Sequence, residues 1–157
     1  MKTALLLIGC IICSYLAGAI GSIFTFQNIP IWYAGLTKPP LNPPNWIFGP
    51  VWGTLYTMMG VAIFLVLNKG LKTPGVSVVL GIFIAQLLLN TLWSIVFFGL
   101  KQTFCSIPVI VALWGTILVF IIISWHISKT ASILMIPYIL WVSFASYLNV
   151  GVYWVNK

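Results

Sequence analysis

The chain of 157 residues contains no aspartate, no glutamate and no arginine, and its charged side chains are seven lysines. Charged residues make up 4% of the sequence, whereas a soluble domain needs roughly 25% to cover its surface. Apart from the terminal carboxylate, the missing acids exclude carboxylate acid–base catalysis, carboxylate metal sites and carboxylate proton relays. The composition therefore excludes a soluble fold and leaves few routes to thermal catalysis.

The lysines are spread singly along the chain instead of forming a cluster. Nucleic-acid binding requires a basic patch, so we expect no nucleic-acid partner. Because side-chain carboxylates are missing, the counterions of the lysines are lipid phosphates or an anionic ligand. Cys10 and Cys13 form a C-x-x-C pair without the second ligand pair that zinc requires. We therefore predict no metal site and no required cofactor.

Long uncharged runs dominate the sequence, which is 62% hydrophobic with a mean hydropathy of +1.16. A helix needs about 20 apolar residues to cross a bilayer. The runs lack the alternating polarity of membrane β-strands, and the short links between them predict antiparallel neighbours. We predict an all-α integral membrane protein, a five-transmembrane-helix bundle that forms a single domain over residues 1–157. The predicted spans are about 3–26, 46–68, 76–100, 103–125 and 131–155, with a long first loop at about 27–45.

The N-terminal run also imitates two processing signals. Lys2, the apolar residues and AGA at 17–19 imitate a signal peptide, and LIGC at 7–10 imitates a lipoprotein cleavage box. The hydrophobicity continues beyond both sites through Phe26, so we interpret the run as the first helix. With five spans, four lysines fall on the N-terminal side of the bundle and three on the other, a weak preference for a cytoplasmic N-terminus.

Small residues recur at four-residue spacing in the first and third predicted spans. Such patterns let helix backbones approach closely, either within the bundle or at a dimer interface. The pairs are Ala17 with Gly21, Gly18 with Ser22, and Gly81 with Ala85.

Residues 32–52, WYAGLTKPPLNPPNWIFGPVW, contain three tryptophans, five prolines and one charged side chain, Lys38. Proline fixes φ, removes a backbone donor and pushes the preceding residue towards extended conformations. We predict a stiff, mostly extended connector that carries Trp32 and Tyr33, with helix resuming at 45–46. Its rings either form a belt at the membrane interface or belong to a lid over a pocket.

Polar and aromatic stripes at helical spacing mark three of the predicted spans. On the third span, Asn90 shares a face with Trp93 and Phe97, and an asparagine in mid-membrane needs a partner such as Asn149, a backbone carbonyl or a cavity. Aromatic stripes are usually core, but tryptophans on facing helices beside an asparagine and an alanine also describe a cavity for a flat aromatic ligand. The other stripes are Trp52, Tyr56 and Met59 in the second span, and Pro137, Trp141, Phe144 and Ala145 in the fifth.

The motifs WYAGLTKPPLNPPNWIFGPVWGTLYTMMG, LNTLWSIVFFG and PYILWVSFASYLNVGVYW follow one another in this order. Together they resemble the translocator protein family, also called tryptophan-rich sensory proteins or peripheral-type benzodiazepine receptors. The resemblance runs from residue 15 to the C-terminus. It implies a five-helix bundle, usually dimeric, whose first loop covers a pocket for porphyrins such as protoporphyrin IX, for sterols, or for synthetic isoquinoline carboxamides and benzodiazepines.

The resemblance also implies a set of site residues. Lys38 matches the lysine of the family's loop motif and would meet an anionic group such as a porphyrin propionate or a lipid phosphate. Trp52 and Trp141 match tryptophans that are implicated in light-driven protoporphyrin degradation by some bacterial members, so they are the catalytic pair if that reaction occurs. The implied ligand-binding residues are Tyr33, Trp52, Tyr56, Asn90, Trp93, Ser94, Phe97, Trp141, Phe144 and Ala145.

Three functions are therefore alternatives. The leading hypothesis is a non-enzymatic membrane receptor or translocator that binds protoporphyrin IX or another planar hydrophobic ligand under the first loop. The second is light-dependent degradation of protoporphyrin IX, which needs only oxidisable indoles, an excited porphyrin and oxygen. The third is a structural bundle whose aromatic residues are merely core.

The C-terminal segment bears on sterols and on location. Val150, Tyr153 and Lys157 fit the loose cholesterol-recognition pattern only formally, so sterol or lipid binding and transport stay open. The chain lacks the basic tail that is common in animal members. We expect a multi-pass protein of the bacterial plasma membrane rather than of the mitochondrial outer membrane, and a homodimer in contact with the lipid bilayer.

Overall fold

The computed structural model describes residues 2–157 and confirms the predicted fold class, an all-α bundle of five helices that are long and apolar enough to cross a membrane. Each run is helical because its backbone polar groups must be satisfied internally once water is excluded. The helices are α1 (Lys2–Asn28), α2 (Phe48–Leu67), α3 (Val76–Ser94), α4 (Ser106–Trp125) and α5 (Lys129–Val155).

The five helices form a closed ring in which the order in space differs from the order in sequence. Going round the ring, α1 packs on α2, α2 on α5, α5 on α4, α4 on α3 and α3 on α1. The outward faces carry large exposed apolar side chains, as expected of helices that face lipid. The ring places α5 between α2 and α4, so its residues reach the cavity described below from the side opposite α1.

The end of α1 corrects one expectation. The residues from 27 to 35, predicted to be an extended part of the first loop, are helical, and only 36–44 are irregular. The helix passes Pro30 by widening into a π-turn (Ile29–Tyr33), where the amide N–H of Ala34 reaches back to the carbonyl of Ile29. The missing N–H of a proline near the start of such a turn costs little. Trp32 and Tyr33 therefore lie on a helical turn, not on the connector.

The remaining spans agree closely with the prediction. Helix resumes at a 3-10 turn, Asn45–Ile47, as expected. The fourth span begins at Ser106, three residues later than the predicted 103, because a turn occupies the intervening residues. A second π-turn (Ile95–Gly99) extends α3, with the N–H of Leu100 bonded to the carbonyl of Ile95 at 2.8 Å. The hydropathy pattern gives no signal for either π-turn.

The small residues of α1 lie against the rest of the bundle. The nearest atoms to Gly18 belong to the ring of Tyr56, and those nearest to Gly21 belong to Ser94. By contrast, nothing lies within 4 Å of the position that a Cβ on Gly81 would take. Packing within the bundle therefore explains the α1 pattern, and the predicted homodimer stays a prediction.

Candidate functional site

A partly enclosed cavity of about 250 Å³ lies between α1, α2, the end of α3 and α5. Its surface is mostly apolar, with a few hydroxyl and indole groups. The residues that line it are Tyr15, Gly18, Ala19, Ser22, Thr25, Phe26, Ile29, Phe48, Gly49, Trp52, Gly53, Tyr56, Trp93, Ser94, Phe98, Trp141 and Ala145.

Six of the ten predicted ligand-binding residues line this cavity, and four lie outside its lining. The six are Trp52, Tyr56, Trp93, Ser94, Trp141 and Ala145. Asn90 lies behind Tyr56, whose hydroxyl donates to Asn90 Oδ1 at 2.7 Å. Phe144 instead lines an open groove on the outer side of α2 and α5. Tyr33 and Phe97 belong to an aromatic cluster beyond Trp93.

Flat aromatic surfaces form two of the walls. Trp52 and Tyr56 are one helical turn apart on α2 and stack with ring centroids 5.5 Å apart at 26°. Opposite them on α5, Trp141 meets Phe48 edge-on at 6.0 Å. Stacked and edge-to-face arrangements at these separations are the favoured ones for aromatic pairs. The cavity therefore offers a planar ligand both a ring face and a ring edge.

Two tryptophans of the cavity differ in whether the indole N–H is already hydrogen-bonded within the protein. Trp93 Nε1 donates to Asn149 Oδ1 at 2.9 Å, so this donor is already used inside the protein. Trp141 Nε1 is buried and has no hydrogen-bond partner among residues 2–157. A buried donor without an acceptor is costly, and an acceptor atom on a bound ligand would remove that cost. Trp141 is thus the indole that is ready to bind a polar ligand atom.

Asn90 finds partners different from those expected. Besides accepting from Tyr56, it donates through Nδ2 to the hydroxyl of Tyr138 at 3.3 Å. Asn149, named as a possible partner on sequence grounds, is occupied elsewhere by Trp93 and Ser106. The amide of Asn90 therefore joins α2, α3 and α5 behind the cavity wall, and it fixes the ring of Tyr56 that lines the cavity.

The two π-turns meet beside the cavity and bring four rings together. Adjacent phenylalanines of the α3 π-turn, Phe97 and Phe98, are both buried, at 3% and 5% exposure. Trp32 packs edge-on against Phe97 at 5.6 Å, and Tyr33 against Phe98 at 5.8 Å. The π-turns therefore place rings from α1 and α3 in one cluster, of which Phe98 reaches the cavity.

Residues 36–44, here called the proline loop, are bound to the last turns of α5. Asn156 holds Thr37 at two points, accepting its N–H at 3.0 Å and donating to its carbonyl at 2.8 Å. Tyr147 donates to the carbonyl of Pro40 at 2.8 Å. Pro39 is buried on Gly151, where an added Cβ would come within 2.7 Å of the proline ring. Three separate contacts thus fasten the loop to the end of the bundle.

Lys38 is folded back onto α1 and does not reach the cavity. Its Nζ donates to the carbonyls of Ala34 and Leu36 at 3.1 and 3.2 Å and lies 5.1 Å from the ring centroid of Tyr33. A cation at this position satisfies carbonyls that a helix C-terminus leaves without partners. The structure therefore gives Lys38 a capping role, and its predicted contact with an anionic ligand stays a prediction.

The double variant Tyr147→Phe/Asn156→Ala is expected to loosen the proline loop without unfolding the bundle. It removes the side-chain hydrogen bonds that hold the loop to α5. Each such bond raises the free energy of opening the loop by only about 1 kcal/mol. Hydrogen–deuterium exchange of a peptide covering 34–46 should accelerate by roughly fivefold or more. Asn68→Ala, which truncates an exposed amide at the opposite end of the bundle, is the matched control. Unchanged exchange in the double variant would contradict the assigned contacts.

A second hollow lies outside the cavity, on the outer face between α2 and α5. Trp141 lines both this open groove of about 650 Å³ and the cavity. Its other residues are Pro50, Val51, Thr54, Leu55, Met58, Pro137, Leu140 and Phe144.

The sequence reasoning missed the wall that α1 contributes. Gly18, Ala19, Ser22 and Thr25 line the cavity. Gly18 and Ser22 belong to the small-residue pattern, which was interpreted as packing within the bundle or a dimer interface. The same pattern was the available signal, because small residues leave space as well as allowing contact. Within residues 2–157, no group of three histidine or cysteine side chains is placed to hold a metal ion.

Comparison with known proteins assigns the family. A family model described as TspO/MBR family matches residues 10–155. The tryptophan-rich protein TspO of Chlorobaculum tepidum is 42% identical over 155 residues, 99% of this chain and 98% of that protein. The protein of the same name from Archaeoglobus fulgidus is 42% identical over 139 residues, 88% of this chain and 89% of that one.

An animal relative is more distant. The translocator protein of Homo sapiens is 37% identical over 131 residues, which is 83% of this chain and 78% of that protein. The two relatives at 42% identity are prokaryotic, and together with the five spans they bear out the expected multi-pass protein of a bacterial membrane. The family match extends over every residue that lines the cavity. The chain therefore belongs to the TspO/MBR family.

Proposed function

We propose that this protein is a membrane receptor or translocator that binds a porphyrin, with protoporphyrin IX as the reference ligand, in the cavity between α1, α2, α3 and α5. The observation that carries the proposal is an apolar cavity walled by three tryptophans, one of which, Trp141, has an unused buried N–H. Ligand sites are typically apolar clefts with a few polar groups that fix orientation. A flat aromatic ring system with acceptor atoms matches that lining.

The size of the cavity bears on how such a ligand would fit. At about 250 Å³ it lies just below the usual range of ligand pockets, roughly 300–1,000 Å³. A porphyrin would therefore require the cavity to widen. Trp141 lines both the cavity and the open outer groove, so we propose that movement of this indole widens the cavity while its N–H bonds the ligand. Residues 36–44 do not line the cavity in this structure, so the lid role expected of the proline loop stays a prediction.

The proposal includes transport of the bound ligand by this protein. The relative from Homo sapiens bears the name translocator protein, which describes that protein. In this chain, a cavity near one end of the bundle and a lipid-facing groove beside it support uptake of a hydrophobic ligand from the bilayer. No side-chain carboxylate is present to couple such movement to protons.

Light-dependent degradation is the second candidate function, because Trp52 and Trp141 both line the cavity from facing helices. A porphyrin held between α2 and α5 would lie against these two oxidisable rings. Thermal catalysis has no comparable support, since the chain supplies no carboxylate pair.

One titration tests both candidates. Protoporphyrin IX is added to the detergent-solubilised protein in the dark, and the quenching of tryptophan fluorescence is followed to saturation. Trp141→Phe removes one hydrogen bond and should raise Kd about fivefold. Trp125→Phe, at an exposed tryptophan of α4 outside the cavity, is the control and should not change Kd. Linear, unsaturable quenching of the wild type would refute specific porphyrin binding.

Illumination of the same samples separates the two candidates. If the protein is a receptor or carrier, illumination should leave the porphyrin spectrum unchanged except for photobleaching. That bleaching should be equal in Trp125→Phe and Trp141→Phe. New product bands that depend on Trp52 and Trp141 would instead establish the degradation activity.

A further inference from the structure

Asn149 lies behind the cavity wall and is not among the residues that line the cavity. It is on α5, only 1% exposed, in the half of the helix that also holds the proline loop. Its carboxamide bonds to two other segments: Oδ1 accepts from Trp93 Nε1 and from Ser106 Oγ, both at 2.9 Å, and Nδ2 donates to the carbonyl of Thr103 at 2.9 Å. One side chain therefore joins α5 to the cavity wall on α3 and to the start of α4.

These partners leave only one orientation for the amide. The hydroxyl of Ser106 lies 2.9 Å from the carbonyl of Thr103 as well as from Oδ1, and because it can donate or accept it does not decide the orientation. Trp93 donates to Oδ1, so a flipped amide would set its NH2 group against the indole N–H. It would also set an oxygen against the carbonyl of Thr103. The bond from Nδ2 to Thr103 thus fixes which end of the amide receives the indole.

The bond to Asn149 in turn fixes the plane of an indole that faces the cavity. Trp93 is 8% exposed and stacks on Phe97 at 5.5 Å and 21°, with Phe98 edge-on at 5.9 Å. Turning the ring would break its N–H bond in a water-free interior, where an unpaired donor is costly. The stack alone would permit the ring to slide or flip, but the hydrogen bond does not.

We propose that Asn149 is a positioning residue of the ligand site, which holds Trp93 so that the indole presents ring surface and withholds its N–H from the ligand. The predicted effect on ligand affinity rests on the proposed function. The orientation of the Trp93 ring by Asn149 does not. The arrangement leaves Trp141 as the indole with a free buried donor. Asn149 thereby sets how Trp93 faces the ligand.

The first measurement needs no ligand. The protein is labelled with ¹⁵N at the indole nitrogens, and the Trp93 N–H resonance is assigned by its disappearance in Trp93→Phe. Asn149→Leu should shift this resonance towards that of a free indole and broaden it. Ser124→Ala is the matched control, because it removes a buried hydroxyl that bonds Ser132 between α4 and α5 at 2.7 Å. This control should leave the Trp93 resonance in place.

The second measurement is the dark protoporphyrin IX titration with the same variants. Misplacement of Trp93 on the scale of one lost hydrogen bond should raise Kd about fivefold in Asn149→Leu. Ser124→Ala should leave Kd within about twofold of the wild type, since small changes distant from a site act independently of it. An equal rise in both variants would overturn the proposal, because a generic loss of interhelical bonding would then explain the effect.

The two measurements also separate this inference from the proposed function. If the wild type shows no saturable binding, the proposed function fails and the indole resonance alone decides: a shift in Asn149→Leu supports the positioning role, and an unmoved resonance overturns it. Asn149→Ala, which adds no bulk, is used if Asn149→Leu does not assemble. If neither variant folds, Asn149 is required for folding, and the proposal that it positions Trp93 for the ligand is overturned.

Discussion

Ala145→Phe is expected to abolish high-affinity porphyrin binding while the bundle stays folded. Ala145 is 8% exposed and lines the cavity from α5, one helical turn after Trp141. A benzyl group at this position points into the space that the ligand would fill. Forcing extra bulk into a packed site costs about 1–3 kcal/mol, so Kd should rise by roughly fivefold to 150-fold.

The dark quenching titration measures this loss, and Ala112→Phe is its matched control. Ala112 is exposed on α4, away from the cavity, so the same added ring should leave Kd unchanged. If Ala145→Phe binds porphyrin as tightly as the wild type, the ligand does not occupy the cavity. The outer groove between α2 and α5 would then be the site to examine.

Gly60→Val is expected to destabilise the membrane bundle strongly. A Cβ on this buried glycine of α2 would lie 2.6 Å from the Cα of Ile11, in the backbone of α1. A side chain could turn away, but a backbone cannot, so the two helices must separate. Small residues at such crossings allow the close packing that holds membrane helices together. The loss should reach about 3 kcal/mol.

Thermal unfolding in detergent measures this loss. For a chain of this size, a loss of about 3 kcal/mol lowers Tm by roughly 6–12 °C. Gly115→Val is the control, because nothing lies within 4 Å of the position that its Cβ would take on α4. If Gly60→Val melts within about 2 °C of the wild type, a shift worth less than about 1 kcal/mol, the close approach of α1 and α2 at this crossing is contradicted.

The fold was largely predictable from the sequence because the requirement for helix in a membrane depends only on the local run of apolar residues. A run of apolar residues must be helical in lipid wherever it lies, so the five spans follow from composition and length alone. The error at the end of the first span has a local cause as well. Gln27, Asn28 and Pro30 are typical of a loop, yet the π-turn Ile29–Tyr33 accommodates the proline and continues the helix.

The candidate site was predictable only in part. Helical spacing put Trp52 with Tyr56 on one face, and Trp141 with Ala145 on another, and these four residues line one cavity. Asn90 was expected to bond Asn149 or a carbonyl, but it bonds the hydroxyls of two tyrosines. Periodicity assigns a residue to a face of its own helix and does not say which helix lies opposite.

Composition and local pattern were enough to establish the class of this protein: the membrane spans, the lack of carboxylate chemistry, and the aromatic faces that resemble one family. These properties depend on composition and on neighbours within a few residues. How the indoles are used depends on the packing of the helices, since Trp93 meets its acceptor Asn149 across 56 positions of the chain and Trp141 meets none among residues 2–157. Hydrogen-bond partners are set by how the helices pack, and packing is a property of the whole bundle.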